Sequence, residues 1–73
     1  MFIDRDEIEE MLGCYYDFSQ MTDEMWNEAD ELIEGEWERR GYTADDTQEF
    51  YDTYSAVCDG AVGRVLRQHG VSA

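Results

Sequence analysis

Carboxylates are the side chains of this sequence most able to do chemistry, and they recur at helical spacing. Glu24, Glu28, Glu31 and Glu38 form one stripe whose period Gly35 completes, and Asp30 and Glu34 lie alongside it. Two carboxylates serve as general acid and base only where their environments pull their pKa values apart. A uniformly acidic face supplies no such contrast, so no pair is marked for hydrolysis. Glu-x-x-Glu spacing occurs at Glu7–Glu10, Glu28–Glu31 and Glu31–Glu34, but a di-metal bundle site needs Glu-x-x-His pairs, and there are none. The segment ADDTQEFYDTYS lacks the ligand pattern, central glycine and terminal glutamate of an EF-hand loop. His69, the single histidine, precedes Gly70 and reads as an exposed residue in the last turn of a helix. Cys14 and Cys58 fit no zinc spacing and have no histidine or lysine near them in sequence, so they read as packing thiols. A disulfide between them stays open if the compartment is oxidising. What remains is electrostatics. The residues predict no enzyme, no cofactor and no metal site, but a negative surface that binds something basic.

Helices must position that surface. The pattern predicts an all-α fold, a small three-helix bundle of up-down-up type, with residues 1–73 as a single acidic helical domain. The first helix is expected at about Arg5–Ser19. Asp4 and Glu7 make a capping box, Ile3 and Ile8 a hydrophobic staple, and Ile8, Met11, Leu12 and Tyr15 the buried stripe. The second helix is expected at about Asp23–Arg40, capped by Thr22, with Met21 and Trp26 as a second staple. Trp26, Ala29, Ile33 and Trp37 form its core face with Leu32 beside them, and Arg39 and Arg40 sit in its last turn, where the helix dipole favours positive charge. Gly41 is the expected left-handed end, with Tyr42 folding back on Trp37. The third helix is expected at about Ala44–His69, capped by Thr43 and ended by Gly70. Phe50, Tyr54, Val57, Cys58, Ala61, Val65 and Leu66 line its inner face, and Tyr51 and Val62 broaden it. Gly60 and Gly63 either admit a neighbouring helix or bend this one. Gly13 and Gly35 interrupt acidic stripes, as kinks or as places where a partner's arginine approaches the backbone. Ten aromatics exceed what three short helices easily hide, so Tyr15, Tyr16, Phe18 and Tyr51 are candidates for an interface.

Charge is distributed as unevenly as it is abundant. The net charge is −14, from 19 acidic residues and five arginines, with no lysine. Residues 1–38 hold 14 acids and one arginine, for −13, whereas residues 39–73 hold five acids and four arginines, for −1. The stretch DEMWNEADELIEGEWE alone carries eight carboxylates and no base. This balance excludes direct binding of nucleic acid or an anionic membrane, both of which need positive charge. Like charges at i,i+4, such as Glu24–Glu28 and Glu34–Glu38, cost about 0.2–0.5 kcal/mol each. A small domain that tolerates them is expected to use the face for complementarity to a strongly basic protein surface. Asp6, Glu7 and Glu10 of the first helix extend that surface, and the third helix is its buttress. No apolar run approaches a membrane span, and the start MFIDRDEIEE lacks the features of a signal peptide, so the expected location is cytoplasmic.

In size, in net charge and in clusters such as DEMWNEADELIEGEWE on a helical pattern, the chain resembles the small acidic anti-CRISPR proteins of phages and mobile elements, and the wider set of DNA-mimic inhibitors. The resemblance spans the whole chain but is one of composition, and no motif carries family residues onto these positions. It implies a non-enzymatic inhibitor that occupies the arginine- and lysine-lined channel of a nucleic-acid machine in the host cytoplasm, with a type I CRISPR effector complex as the expected target. A second reading is an acidic structural or regulatory protein that homodimerises through its aromatics. Salt adaptation is a third, but it should spread acid over the whole surface, and the −13/−1 split opposes it.

Overall fold

The computed structural model describes residues 4–71. Three α-helices, α1 (Arg5–Leu12), α2 (Asp23–Arg39) and α3 (Tyr51–Gln68), form the bundle, with single 3₁₀ turns at Phe18–Gln20 and Ala44–Thr47 leading into α2 and α3. No strand occurs among the described residues. This is the all-α three-helix bundle that the periodicity predicts. Helices α2 and α3 run antiparallel: Trp37 at the end of α2 meets Tyr54 in the first turn of α3, while His69, just past α3, meets Glu28 in the first half of α2.

The helix ends follow from local chemistry. The Asp4 carboxylate accepts hydrogen bonds from the Asp6 and Glu7 amides at 3.0 and 3.4 Å, and Thr22 Oγ1 accepts one from the Met25 amide at 3.2 Å. At the C-terminus of α2 the Tyr42 amide bonds the Trp37 carbonyl and the Gly41 amide bonds the Glu38 carbonyl. Val71 and Gly70 repeat this arrangement on Leu66 and Arg67 at the end of α3. Gly41 and Gly70 have φ of 81° and 76°, the left-handed conformation that such an ending requires and glycine adopts without strain. The proposed staple on Ile8 involves Ile3, which lies outside the described residues.

Two boundaries differ from expectation. Helix α1 stops at Leu12, well before Ser19, with Gly13 as its cap. Asp17 accepts from the Ser19 amide and hydroxyl, holding the 3₁₀ turn in place of a helix. The gain is in packing. Residues two apart on a helix do not face the same way, yet Tyr16 and Phe18 both reach inward once the helix has ended. The Tyr16 hydroxyl donates to the Asp59 carboxylate, and the Phe18 ring stacks on Trp26 at 5.6 Å. Tyr15 is left 66% exposed, so it is not the core residue its spacing suggests.

Helix α3 starts at Tyr51 rather than Ala44. Asp46 accepts from the Thr43 amide (2.6 Å) and hydroxyl (3.1 Å), building the 3₁₀ turn, and the backbone then breaks at Phe50, with φ −114° and ψ 41°. That break lets Phe50 stack on Tyr42 at 4.5 Å, and Tyr42 in turn packs on Trp37 at 4.6 Å.

The core comprises Ile8 and Leu12 of α1, Met25, Trp26, Ala29, Ile33 and Trp37 of α2, and Tyr54, Val57, Cys58, Ala61, Val62, Val65 and Leu66 of α3. Met25 is the member that the α2 stripe did not anticipate. Gly63 is buried because the Tyr16 side chain packs on it; a Cβ there would sit 3.0 Å from the Tyr16 hydroxyl. Gly60 has open space before it instead.

Both cysteines are free thiols, Cys14 exposed and Cys58 buried, so the open disulfide does not form. Burial pushes the Cys58 thiol up to about 12, against a hydrogen bond from Tyr54 that lowers it. The hydrogen bond to Asp59, followed by burial, pushes the Tyr16 hydroxyl up to about 12 as well. In the native protein, Ellman's reagent should therefore titrate one thiol at once, with the second appearing only on denaturation. Both groups hold their protons more tightly in the fold than in the open chain, where they ionise near 9 and 10. Their contribution to stability is complete below those values and is lost as pH rises towards 12. The urea midpoint should fall steadily above pH 9.

A candidate acidic docking face

Helix α2 presents its core face through Ala29, Ile33 and Trp37, so the opposite side is set by the 3.6-residue period. Glu24, Glu31 and Glu38 stand on that side, all exposed and none in an ion pair among the described residues. They are spaced about 10 Å apart along the helix axis at its rise of ~1.5 Å per residue. Gly35 falls within the same row, and nothing lies within 4 Å of where its Cβ would be. The row therefore has a bare strip of backbone between Glu31 and Glu38.

The other predicted residues are disposed differently. Glu28 is half-buried, and its Oε2 lies 2.7 Å from His69 Nε2, so it is engaged within the chain. Asp30 turns to the flank of α2, where its Oδ1 is enclosed without a hydrogen-bond partner. Glu7 turns to the same region from α1. Burial first, then the Cys58 thiol and the charges of Glu7 and Asp30, push the Tyr54 hydroxyl well above its ordinary value. Glu34 is half-buried beside Trp37, Glu38 and Tyr42, lining a shallow depression of about 320 Å³. On α1, Asp6 and Glu10 face outward. Glu9 is exposed too, on the flank of the Ile8–Leu12 stripe, one position on from Ile8 and so about 100° around the helix from it.

Some acids are spent on internal pairs. Arg5 Nη1 donates to Asp23 Oδ1 at 3.0 Å, and the guanidinium carbon lies 5.6 Å from the centre of the Trp26 ring, tying the start of α1 to the start of α2. Glu36 takes both Arg39 (2.8 Å) and Arg40 (3.2 Å). Such exposed pairs contribute little, about 0–1 kcal/mol each. The His69–Glu28 contact is separated by 41 positions in the chain, so no local pattern announced it.

The whole face has a simple electrostatic measure. Asp23–Glu38 carries eight carboxylates over a helix length of about 24 Å, one charge per ~3 Å. One strand of B-DNA carries a phosphate per ~3.4 Å of axis. Asp23, Glu28 and Glu36 are engaged within the chain and Asp30 turns to the flank, so Glu24, Glu31, Glu34 and Glu38 remain for a basic partner, about one charge per ~6 Å and so about half the density of one strand. Among the described residues no group of three or more His, Cys, Asp or Glu side chains converges to hold a metal ion. No helix among them is long and apolar enough to cross a membrane. Comparison with family models, with curated proteins and with solved structures finds no match for this chain.

Proposed function

We propose that this protein is a non-enzymatic inhibitor that presents α2 as a substitute for a nucleic-acid strand to a basic, nucleic-acid-binding protein surface. The observation that carries the reading is the unpaired row Glu24–Glu31–Glu38, a line of exposed negative charge along one side of a rigid helix. Outward Asp6, Glu9 and Glu10 on α1 add to the negative field that steers such a partner. A positively charged channel is the complementary surface, and the resemblance to small acidic phage inhibitors makes the DNA-binding channel of a type I CRISPR effector complex the first target to test.

The test is competition. Added to such a complex, the protein should lower target-DNA binding in a mobility-shift assay, and excess duplex DNA should in turn displace the protein. Complex formation should weaken steeply as salt rises, because screening and counterion release both act on exposed charge. Binding that DNA does not compete, or that salt leaves unchanged, would place the contact elsewhere than on the acidic helix.

A further inference from the structure

On another side of the α2–α3 pair lies a surface of opposite character. A groove of about 610 Å³ runs between these helices, and neither α1 nor any of the nine predicted acidic residues lines it. Its floor is Leu32, Ala56, Val57 and Gly60. Three of the chain's five arginines, Arg39, Arg40 and Arg64, border it against two acids, Glu36 and Asp52. In a protein of charge −14 this is a locally positive surface and the place where a second copy can approach with least repulsion.

The α3 wall of the groove is self-complementary. Asp52, Ala56, Gly60 and Arg64 follow one another at intervals of four, forming a single i±4n ridge of α3. The ridge has acid at one end, base at the other and small residues between. A twofold axis crossing α3 midway between Ala56 and Gly60 lays the ridge antiparallel on its copy. Ala56 then meets the second copy's Gly60, and Asp52 meets the second copy's Arg64, each pair about 9 Å to either side of the axis for the charged residues. Arg64 makes no ion pair among the described residues, and no atom lies within 4 Å of where a Gly60 Cβ would be. An isologous contact requires this kind of correspondence, residue i on j and j on i.

We propose that the α2–α3 groove is a homodimer interface in which α3 packs antiparallel against α3 of a second copy, with Asp52–Arg64 pairs at both ends. Close approach of two backbones at Ala56 and Gly60 covers the exposed Ala56 and the partly exposed Leu32, burying apolar surface that a domain of this size can ill leave in water. The acidic row of α2 is not used, so each protomer keeps its docking face.

Sedimentation velocity over a concentration series up to the millimolar range tests the arrangement. The native chain should show a reversible dimer. Gly60→Leu should be monomeric with an undiminished thermal midpoint, since the side chain enters open space and leucine is the better helix former. Asp52→Arg and Arg64→Asp should each weaken the dimer by roughly tenfold, because each replaces two opposite-charge contacts with like-charge ones. The double exchange, Asp52→Arg with Arg64→Asp, should restore it. A native chain that stays monomeric overturns the proposal. So does a dimer indifferent to Gly60→Leu, or one lost on Glu31→Lys, which would mean that the acidic face of one copy docks in the groove of another.

Discussion

Replacing Glu24, Glu31 and Glu38 together by lysine should abolish binding to a basic partner while leaving the bundle folded. Each exposed carboxylate contributes about 0.5 kcal/mol or more to such a contact, and reversal adds repulsion of similar size. Three reversals should therefore cost about 3 kcal/mol or more, at least a hundredfold in Kd. Nothing in the fold depends on these three side chains: they are exposed and form no ion pair among the described residues. Three reversals change the net charge from −14 to −8, so self-repulsion falls and the thermal midpoint should rise or hold. Titration calorimetry against the basic partner, with thermal unfolding in parallel, reads both quantities. Unchanged affinity with intact fold would remove the acidic row from the mechanism. The choice of residues comes from the structure. Glu28 belongs to the same stripe in the sequence, but its bond to His69 means that its reversal would perturb the α2–α3 contact as well as the surface.

Trp37→Ala should unfold the protein at ambient temperature. Trp37 is 1% exposed, and its ring packs on Tyr42 at 4.6 Å and edge-on to Tyr54 at 5.3 Å. Its Nε1–H donates to the Thr43 carbonyl at 2.7 Å. One side chain thus joins the end of α2, the turn after Gly41 and the first turn of α3. Truncating a buried tryptophan costs about 3–5 kcal/mol, and a single core in a domain this small supplies only about 3–5 kcal/mol in total. Helical circular dichroism should accordingly be lost. Trp37→Phe keeps most of the buried area but leaves the Thr43 carbonyl without its donor, at a cost of about 1–3 kcal/mol. It should fold with a clearly lower urea midpoint. A Trp37→Ala variant that still unfolds cooperatively at room temperature in urea would show that stability comes from outside this aromatic cluster, most directly from the homodimer.

The two proposed surfaces divide the molecule in a way the charge split foreshadows. The acid of residues 1–38 is displayed on α1 and the outer side of α2, whereas four of the five arginines fall in residues 39–73. Three of those arginines border the α2–α3 groove. The second acidic cluster, Glu7 with the enclosed Asp30 oxygen near Tyr54, belongs to neither surface. Those two residues count towards the net charge but are turned away from the Glu24–Glu31–Glu38 row.

What could be read from the residues alone was local. Asp4 and Thr22 as caps, Gly41 and Gly70 as left-handed endings, and the Ala29–Ile33–Trp37 stripe depend on side chains within a turn or two of one another, and each is found in the fold. The same period placed Glu24, Glu31 and Glu38 opposite the core, because burying one side of a helix decides the other. The tertiary structure decided what spacing cannot encode. Tyr16 leaves the helical path to reach Asp59, 43 positions away, and in doing so shortens α1 and exposes Tyr15. Phe50 breaks from α3 to cover Tyr42, so the third helix begins late. His69 withdraws Glu28 from the free acidic row. In each case a favourable contact between distant elements outweighs a local preference of about 1 kcal/mol or less per residue, and only the packed arrangement of the helices determines which such contacts exist.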